Sequence, residues 1–223
     1  MRWNLKRDAI ALLSIAASVG LSWYFLPDLP DQVPTHFSLD GTADDYSSKG
    51  VAAAFAIGGT TLLYLLLTFI PRIDPFWRKI QKRYDVVLLV RDIVMVFMVF
   101  LFIATLLAAP TGNLDMSLFG TGFGLFFVVL GNYLPRLPRN FFIGIRNPWT
   151  IASEVVWTKT HIMSGWLYVA GGTLIVVLSV SGLPVHIVLL SVLVPLFLYT
   201  GLIYPYLLFR KLQREGDSTT PDL

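Results

Sequence analysis

The sequence contains no cysteine in 223 residues. That absence excludes disulfides, thiolate metal ligation and thiol nucleophiles in one stroke. Charge is scarce as well: Asp, Glu, Lys and Arg together make up 14% of the chain, against 55% hydrophobic residues. A soluble domain carries roughly 25% charged residues, so a soluble globular fold is excluded. No run of basic residues interleaved with exposed aromatics is present, which removes nucleic acid as a direct ligand. No internal repeat is evident.

What fills the chain is apolar runs. Crossing about 30 Å of hydrocarbon takes about 17–25 helical residues, and six segments are long enough: residues 9–26, 51–70, 86–109, 116–134, 162–183 and 185–209. They are continuously apolar and lack a period of two, so they read as helices, whose backbone groups are satisfied internally in lipid. The expectation is an all-α, polytopic membrane bundle of six transmembrane helices. It forms a single membrane domain over 1–223, with an N-terminal half 9–110, a C-terminal half 111–215 and a flexible tail 216–223. The first span has the basic start and apolar stretch of a signal peptide. It ends in Trp23-Tyr24-Phe25-Leu26-Pro27, bulky where cleavage wants small residues, so it is expected to stay as a span.

Positive charge is distributed unevenly. Fifteen of the seventeen Lys and Arg residues fall in the N-terminus, the second and fourth connections and the C-terminal tail, all on one side of a six-span arrangement. Of the other two, Lys49 lies opposite and Arg91 inside a span. The positive-inside rule then places both termini in the cytoplasm.

The one long outer connection, residues 27–50, holds five Asp against one Lys, with three prolines that stiffen it into a partly extended path. Asp40-Gly41 marks a turn, and Ser47 or Ser48 is placed to cap the second span. An acidic, rigid loop suits a cationic peptide, although a plain solvated connector fits the same composition. His36 with Asp40, Asp44 and Asp45 lacks the spacing of an EF-hand. His36 is therefore expected to pack or hydrogen-bond within the loop, with no metal.

The inner connection, 131–161, is the longest run dense in polar, proline, glycine and aromatic residues. Pro135 and Pro138 end the fourth span, Gly144 permits a sharp turn, and Pro148 suits the first turn of a helix. Phe141, Phe142, Ile143, Ile145 and Trp149 alternate with Arg139 and Arg146, a mix that places rings in the interface and guanidinium groups at lipid phosphates. Glu154, Trp157, Thr158 and His161 share a helical face. Docking of a cytosolic partner, sealing of the bundle, and catalysis by Glu154 with His161 all remain open, the last without a nucleophile nearby.

Arg91 and Asp92 are the ionisable pair inside a span. Arg91 lies roughly 7–8 Å from the inner edge at 1.5 Å per residue, near enough to snorkel or to be held in a structural pairing, with a buried relay or substrate contact as the other reading. Neighbouring positions point about 100° apart, so the two need not pair with each other. Gly120 and Gly124 allow close helix approach and are expected to serve internal packing. Pro195 is expected to kink the sixth span.

Gly131-Asn132-Tyr133-Leu134-Pro135, Asn140-Phe141-Phe142-Ile143-Gly144-Ile145-Arg146, Pro148-Trp149-Thr150, Trp157 and Thr160-His161 resemble the signature of the SdpI family of membrane immunity proteins. That family often has Thr where this chain has Asn147. Leu29-Pro30, Pro34, His36-Phe37, Gly41, Asp44 and Ser48-Lys49 resemble a short domain of unknown function joined N-terminally in the same proteins. The resemblance implies a bacterial plasma-membrane protein giving resistance to a secreted peptide toxin, with signal transduction through a cytosolic repressor held at the membrane. It implies no enzyme activity and no cofactor. A small-solute or lipid transporter with a cavity near Arg91, Asp92 and His161 is the alternative, and a membrane-embedded enzyme the third reading.

Overall fold

A computed structural model describes residues 5–216; the proposed tail beyond Gly216, like Arg2, lies outside the described residues. Six helices among them are long and apolar enough to span a membrane. The first three spans are α1 (Leu5–Phe25), α2 (Lys49–Phe69) and α4 (Tyr84–Ala108), with a short α3 (Trp77–Ile80) before the last. They pack against one another. The other three are α5 (Met116–Tyr133), α7 (Glu154–Ser179) and a composite sixth span, and α4 joins the two groups by packing on α5.

The expected cap at Ser48 is in place, and Asp115 supplies a second that was not foreseen. Ser48 accepts from the Val51 N–H at the start of α2, and Asp115 accepts from Leu118 N–H at the start of α5. Serine and threonine hydroxyls inside the spans mostly bond the carbonyl one turn back, as Ser14, Ser18, Ser22 and Thr60 do. Ser18 also meets Thr60 across α1 and α2 at 3.3 Å.

Helices α5 and α7 touch backbone to backbone. A Cβ at Gly124 would sit 2.6 Å from the Gly172 carbonyl, and one at Gly131 would sit 2.8 Å from that of Gly165. Gly120 faces Ser179 and Val185 on the same seam. The Gly120–Gly124 pair thus serves packing within the bundle, as its sequence suggests.

Two spans depart from expectation. The fifth begins at Glu154, eight residues before the apolar run, because Ser153 caps it by accepting from Val156 N–H and its first two turns are polar. The sixth is broken into α8 (Val185–Leu198), a π-helical turn (Tyr199–Ile203) and α9 (Tyr204–Arg214). Pro195 lies inside α8, and Pro205 opens α9 without an N–H to offer the Gly201 carbonyl.

The outer connection is more regular than a partly extended loop. It forms an antiparallel hairpin of β1 (Gln32–Phe37) and β2 (Ala43–Ser48), so the all-α description holds for the spans and not for this connection. Gly41 turns it at φ 91°, where a side chain would also strike Leu114 O. The tip is stitched to the neighbouring connection: Leu114 N–H donates to Gly41 O and Ala43 N–H donates to Gly112 O, both at 2.8 Å.

Candidate functional site

At the end of the bundle opposite the hairpin, the loop from Leu134 to Ser153 folds inward on itself. Asn140, 3% exposed, uses its whole amide. Its Nδ2 donates to Pro138 O and Ile143 O, and its Oδ1 accepts from Phe142 N–H and Ile143 N–H. Asp74, buried in the preceding connection on that side, accepts from Phe141 N–H at 2.7 Å and from Phe76 N–H. Phe76 stacks on Phe141, and Arg139 lies over the other ring contact, 4.5 Å from the Phe76 centroid.

The loop is then pinned to α7. Trp157 Nε1–H donates to Leu137 O at 3.0 Å, and its ring stacks on His161 with centroids 4.1 Å apart. His161 Nε2 accepts from Ile145 N–H at 3.1 Å, while Nδ1 lies 2.8 Å from Trp157 O. An amide N–H can only donate and a carbonyl can only accept, so the ring is neutral with its proton on Nδ1. Gly144, at φ 107°, lets the chain pass over this ring: a Cβ there would lie 2.6 Å from His161 Nε2. Asn147 caps α6 (Pro148–Ala152) in a capping box with Thr150, whose hydroxyl also donates to Ile145 O. Its Nδ2 donates to Gly201 O, the carbonyl that Pro205 cannot serve.

Several sequence expectations change here. Arg139 is turned inward and not toward lipid phosphates, whereas Arg146 stays exposed. Arg139 donates to Ile151 O and Arg146 to Phe141 O, because the folded loop presents carbonyls within their reach. Glu154 and His161 are not brought together: Glu154 pairs with Lys79 and lies 3.4 Å from Arg139 Nε, whereas His161 is buried under the loop. Thr158 is exposed rather than joined to the Trp157 and His161 face. Trp149 is half-buried and meets Tyr206 edge to face. Pro135 packs against Gly165, and Asn132 is exposed and bonds back to Val128 O.

Of the readings open for Arg91, structural pairing is the one the structure has. Arg91 does not snorkel: it is fully buried, and all five of its donors are used. Nη1 donates to Asp8 Oδ1 at 2.6 Å and to Thr68 Oγ1 at 2.9 Å. Nη2 donates to Arg7 O and to Asp92 Oδ1, and Nε to the same Asp92 oxygen. The long side chain curls back to its neighbour, so Arg91 and Asp92 do pair. The partner that sequence reasoning missed is Asp8, 83 positions away in the first turn of α1. Its signal was an acid retained beside Lys6 and Arg7 in an otherwise cationic segment. Asp74 carried the same signal among Arg72, Arg78 and Lys79. His161 stands apart from this cluster, so the cavity imagined for a transporter near Arg91, Asp92 and His161 is not assembled.

In the hairpin, His36 Nδ1 lies 2.5 Å from Asp44 Oδ1, and Ser38 donates to Asp44 Oδ2. Those bonds, the one from His36 foremost, hold the Asp44 carboxyl below the usual carboxylate range. Asp40 is held down in the same direction by Thr42, whose hydroxyl and N–H both donate to it. Asp45 accepts only from the adjacent Tyr46 N–H and is exposed. Lys49 donates to Leu29 O and lies 3.5 Å from Asp31. Pro34 is buried, and Phe37 pairs with Ala43 across the strands.

Both ends of the molecule now match known sequences where their geometry is most determined. Residues 136–206 match the SdpI/YfhL protein family. Residues 13–61, from α1 through the hairpin into α2, match a domain of unknown function (DUF1648). The SdpI resemblance read from the signature loop is thereby shown, together with its N-terminal companion. The chain is 26% identical over 209 residues to the protein named immunity protein SdpI of Bacillus subtilis (strain 168), covering 93% of this chain and 98% of that relative. No solved structure matches the chain.

Proposed function

We propose that the protein is a bacterial plasma-membrane immunity protein that protects its cell from a secreted cationic peptide toxin. The observation that carries this reading is the similarity to SdpI along nearly the full length of both chains. The acidic hairpin supports the side of approach. Asp28, Asp31 and Asp45 are exposed on it, and the Lys and Arg residues cluster at the opposite end, which the positive-inside rule puts in the cytoplasm with both termini. The folded loop 134–153 supports a sealing role for the signature: the Asn140 amide, the Asn147–Thr150 capping box and the bonds to Trp157 and His161 tie it to itself and to α7, with Arg139 Nε left facing Glu154 at 3.4 Å. Holding a cytosolic repressor is the finer part of the proposal, and exposed Arg146 with half-buried Trp149 offers the surface for it. Glu154 and His161 are committed to structural partners, which supports a role other than catalysis.

The test is survival of a susceptible host expressing the chain and challenged with cationic toxin peptide. The hairpin separates two kinds of acid. Asp31→Asn with Asp45→Asn should weaken protection several-fold and flatten its salt dependence, as expected when about two screened surface charges are lost. Asp40→Asn and Asp44→Asn should in addition loosen the hairpin, read as faster amide exchange at residues 36–44. Unchanged survival in all four would return the hairpin to a connector. Reporter fusions after Lys49 and after Asn147 should read outside and inside respectively, and an outside reading after Asn147 would remove the cytosolic role of the loop.

A further inference from the structure

Between α4 and α5, with Ile10 of α1 at its margin, runs a groove of about 500 Å³ that opens sideways, toward where lipid would lie. Val96, Phe100 and Leu125 are typical of its walls. It follows α5 from Leu118 to Tyr133, roughly 22 Å at the helical rise per residue. Apart from the Thr121 hydroxyl toward the Leu118 end, its polarity lies at the other end. There Asp92 lines it, and there Tyr133 carries the Arg136 guanidinium over its ring at 5.3 Å. Both Arg91 bonds to Asp92 fall on Oδ1, so no hydrogen bond from the described residues occupies Oδ2.

We infer that this groove holds the acyl chain of an aminophospholipid, with its ammonium group at Asp92 and its phosphate at Arg136. Length and chemistry suit a hydrocarbon chain: the groove runs along most of α5 and is walled almost wholly by apolar side chains. Depth agrees: Asp92 joins through Arg91 to Asp8 in the first turn of α1, and Tyr133 is the last residue of α5, so the polar end lies at headgroup level. Charge selects the head. The Asp92 carboxylate on the groove wall and the Arg136 guanidinium over Tyr133 match the two charges of a zwitterion with a hydrogen-bonding amine, and an anionic lipid without the amine would leave Asp92 unmatched. This inference stands apart from the immunity proposal.

The experiment reconstitutes the full chain in nanodiscs containing equal amounts of phosphatidylethanolamine and phosphatidylglycerol, then strips bulk lipid and weighs what remains bound by native mass spectrometry. Phosphatidylethanolamine should be retained about tenfold over phosphatidylglycerol, the effect of one charge-assisted hydrogen bond. Substituting phosphatidylcholine, which keeps the phosphate but cannot donate from its amine, should abolish the preference with no change to the protein. Arg136→Gln, at an exposed position, and Val96→Trp, which fills the groove from an exposed wall, should each remove it with the melting temperature retained. Equal retention of the two lipids overturns the inference. So does a preference for phosphatidylglycerol, or one that survives phosphatidylcholine or both variants. A dimer that Val96→Trp dissociates would assign the groove to a second copy instead.

Discussion

Arg91→Met should destabilise the protein by about 3–5 kcal/mol, the range for removing one partner of a buried ion pair. The loss is not that of one salt bridge. It strands Asp8 and Asp92, both nearly inaccessible, without the three hydrogen bonds that Arg91 gives them, and it releases Thr68 and the Arg7 carbonyl. The variant should melt well below the native protein in matched detergent. Adding Asp8→Asn should restore part of the loss, because one uncompensated charge is then gone. A variant that melts like the native chain, or a double variant with no recovery, would show that the cluster does not tie α1 to α4.

The second large effect belongs to Asn140. Asn140→Ala removes four hydrogen bonds, two of them to the buried N–H and carbonyl of Ile143 and two to the partly buried Phe142 N–H and Pro138 O. At roughly 1 kcal/mol net per bond the cost is about 3–4 kcal/mol. Melting temperature and toxin survival should fall together. Arg146→Ala, which gives up one exposed bond to Phe141 O, should stay within about 0.5 kcal/mol of native. If Arg146→Ala nonetheless cuts recruitment of a cytosolic partner while survival holds, docking and sealing are separate duties of one loop. If Asn140→Ala is as stable as Arg146→Ala, the loop is not the seal proposed here.

The spans were legible because a long apolar run has one solution in lipid. The cap at Ser48, the helix start at Pro148 and the turn at Gly144 were legible because each residue type answers a local backbone need. The hairpin was not: Pro34, Asp44, Asp45 and the serines of β2 are poor strand formers, and pairing comes from Gly41 and from the backbone bonds to Gly112 and Leu114. The start of α7 was hidden because Glu154, Lys159 and Thr160 lower its apolar signal. At the sites, single residues could be singled out but not their partners. Arg91 meets Asp8 across 83 positions and Asp74 meets Phe141 across 67, and no periodicity encodes such distances.

Asn147 shows what those long reaches do mechanically. One side-chain amide closes the capping box of α6 and, through its other end, holds the carbonyl that Pro205 leaves open in the final span. The signature loop and the terminal helix are therefore latched at one point, next to the π turn where the helix is least regular. Any tilt of α9 must either drag the loop along or unlatch it. The asparagine makes both contacts from a single side chain, its Oδ1 serving the cap and its Nδ2 the final span.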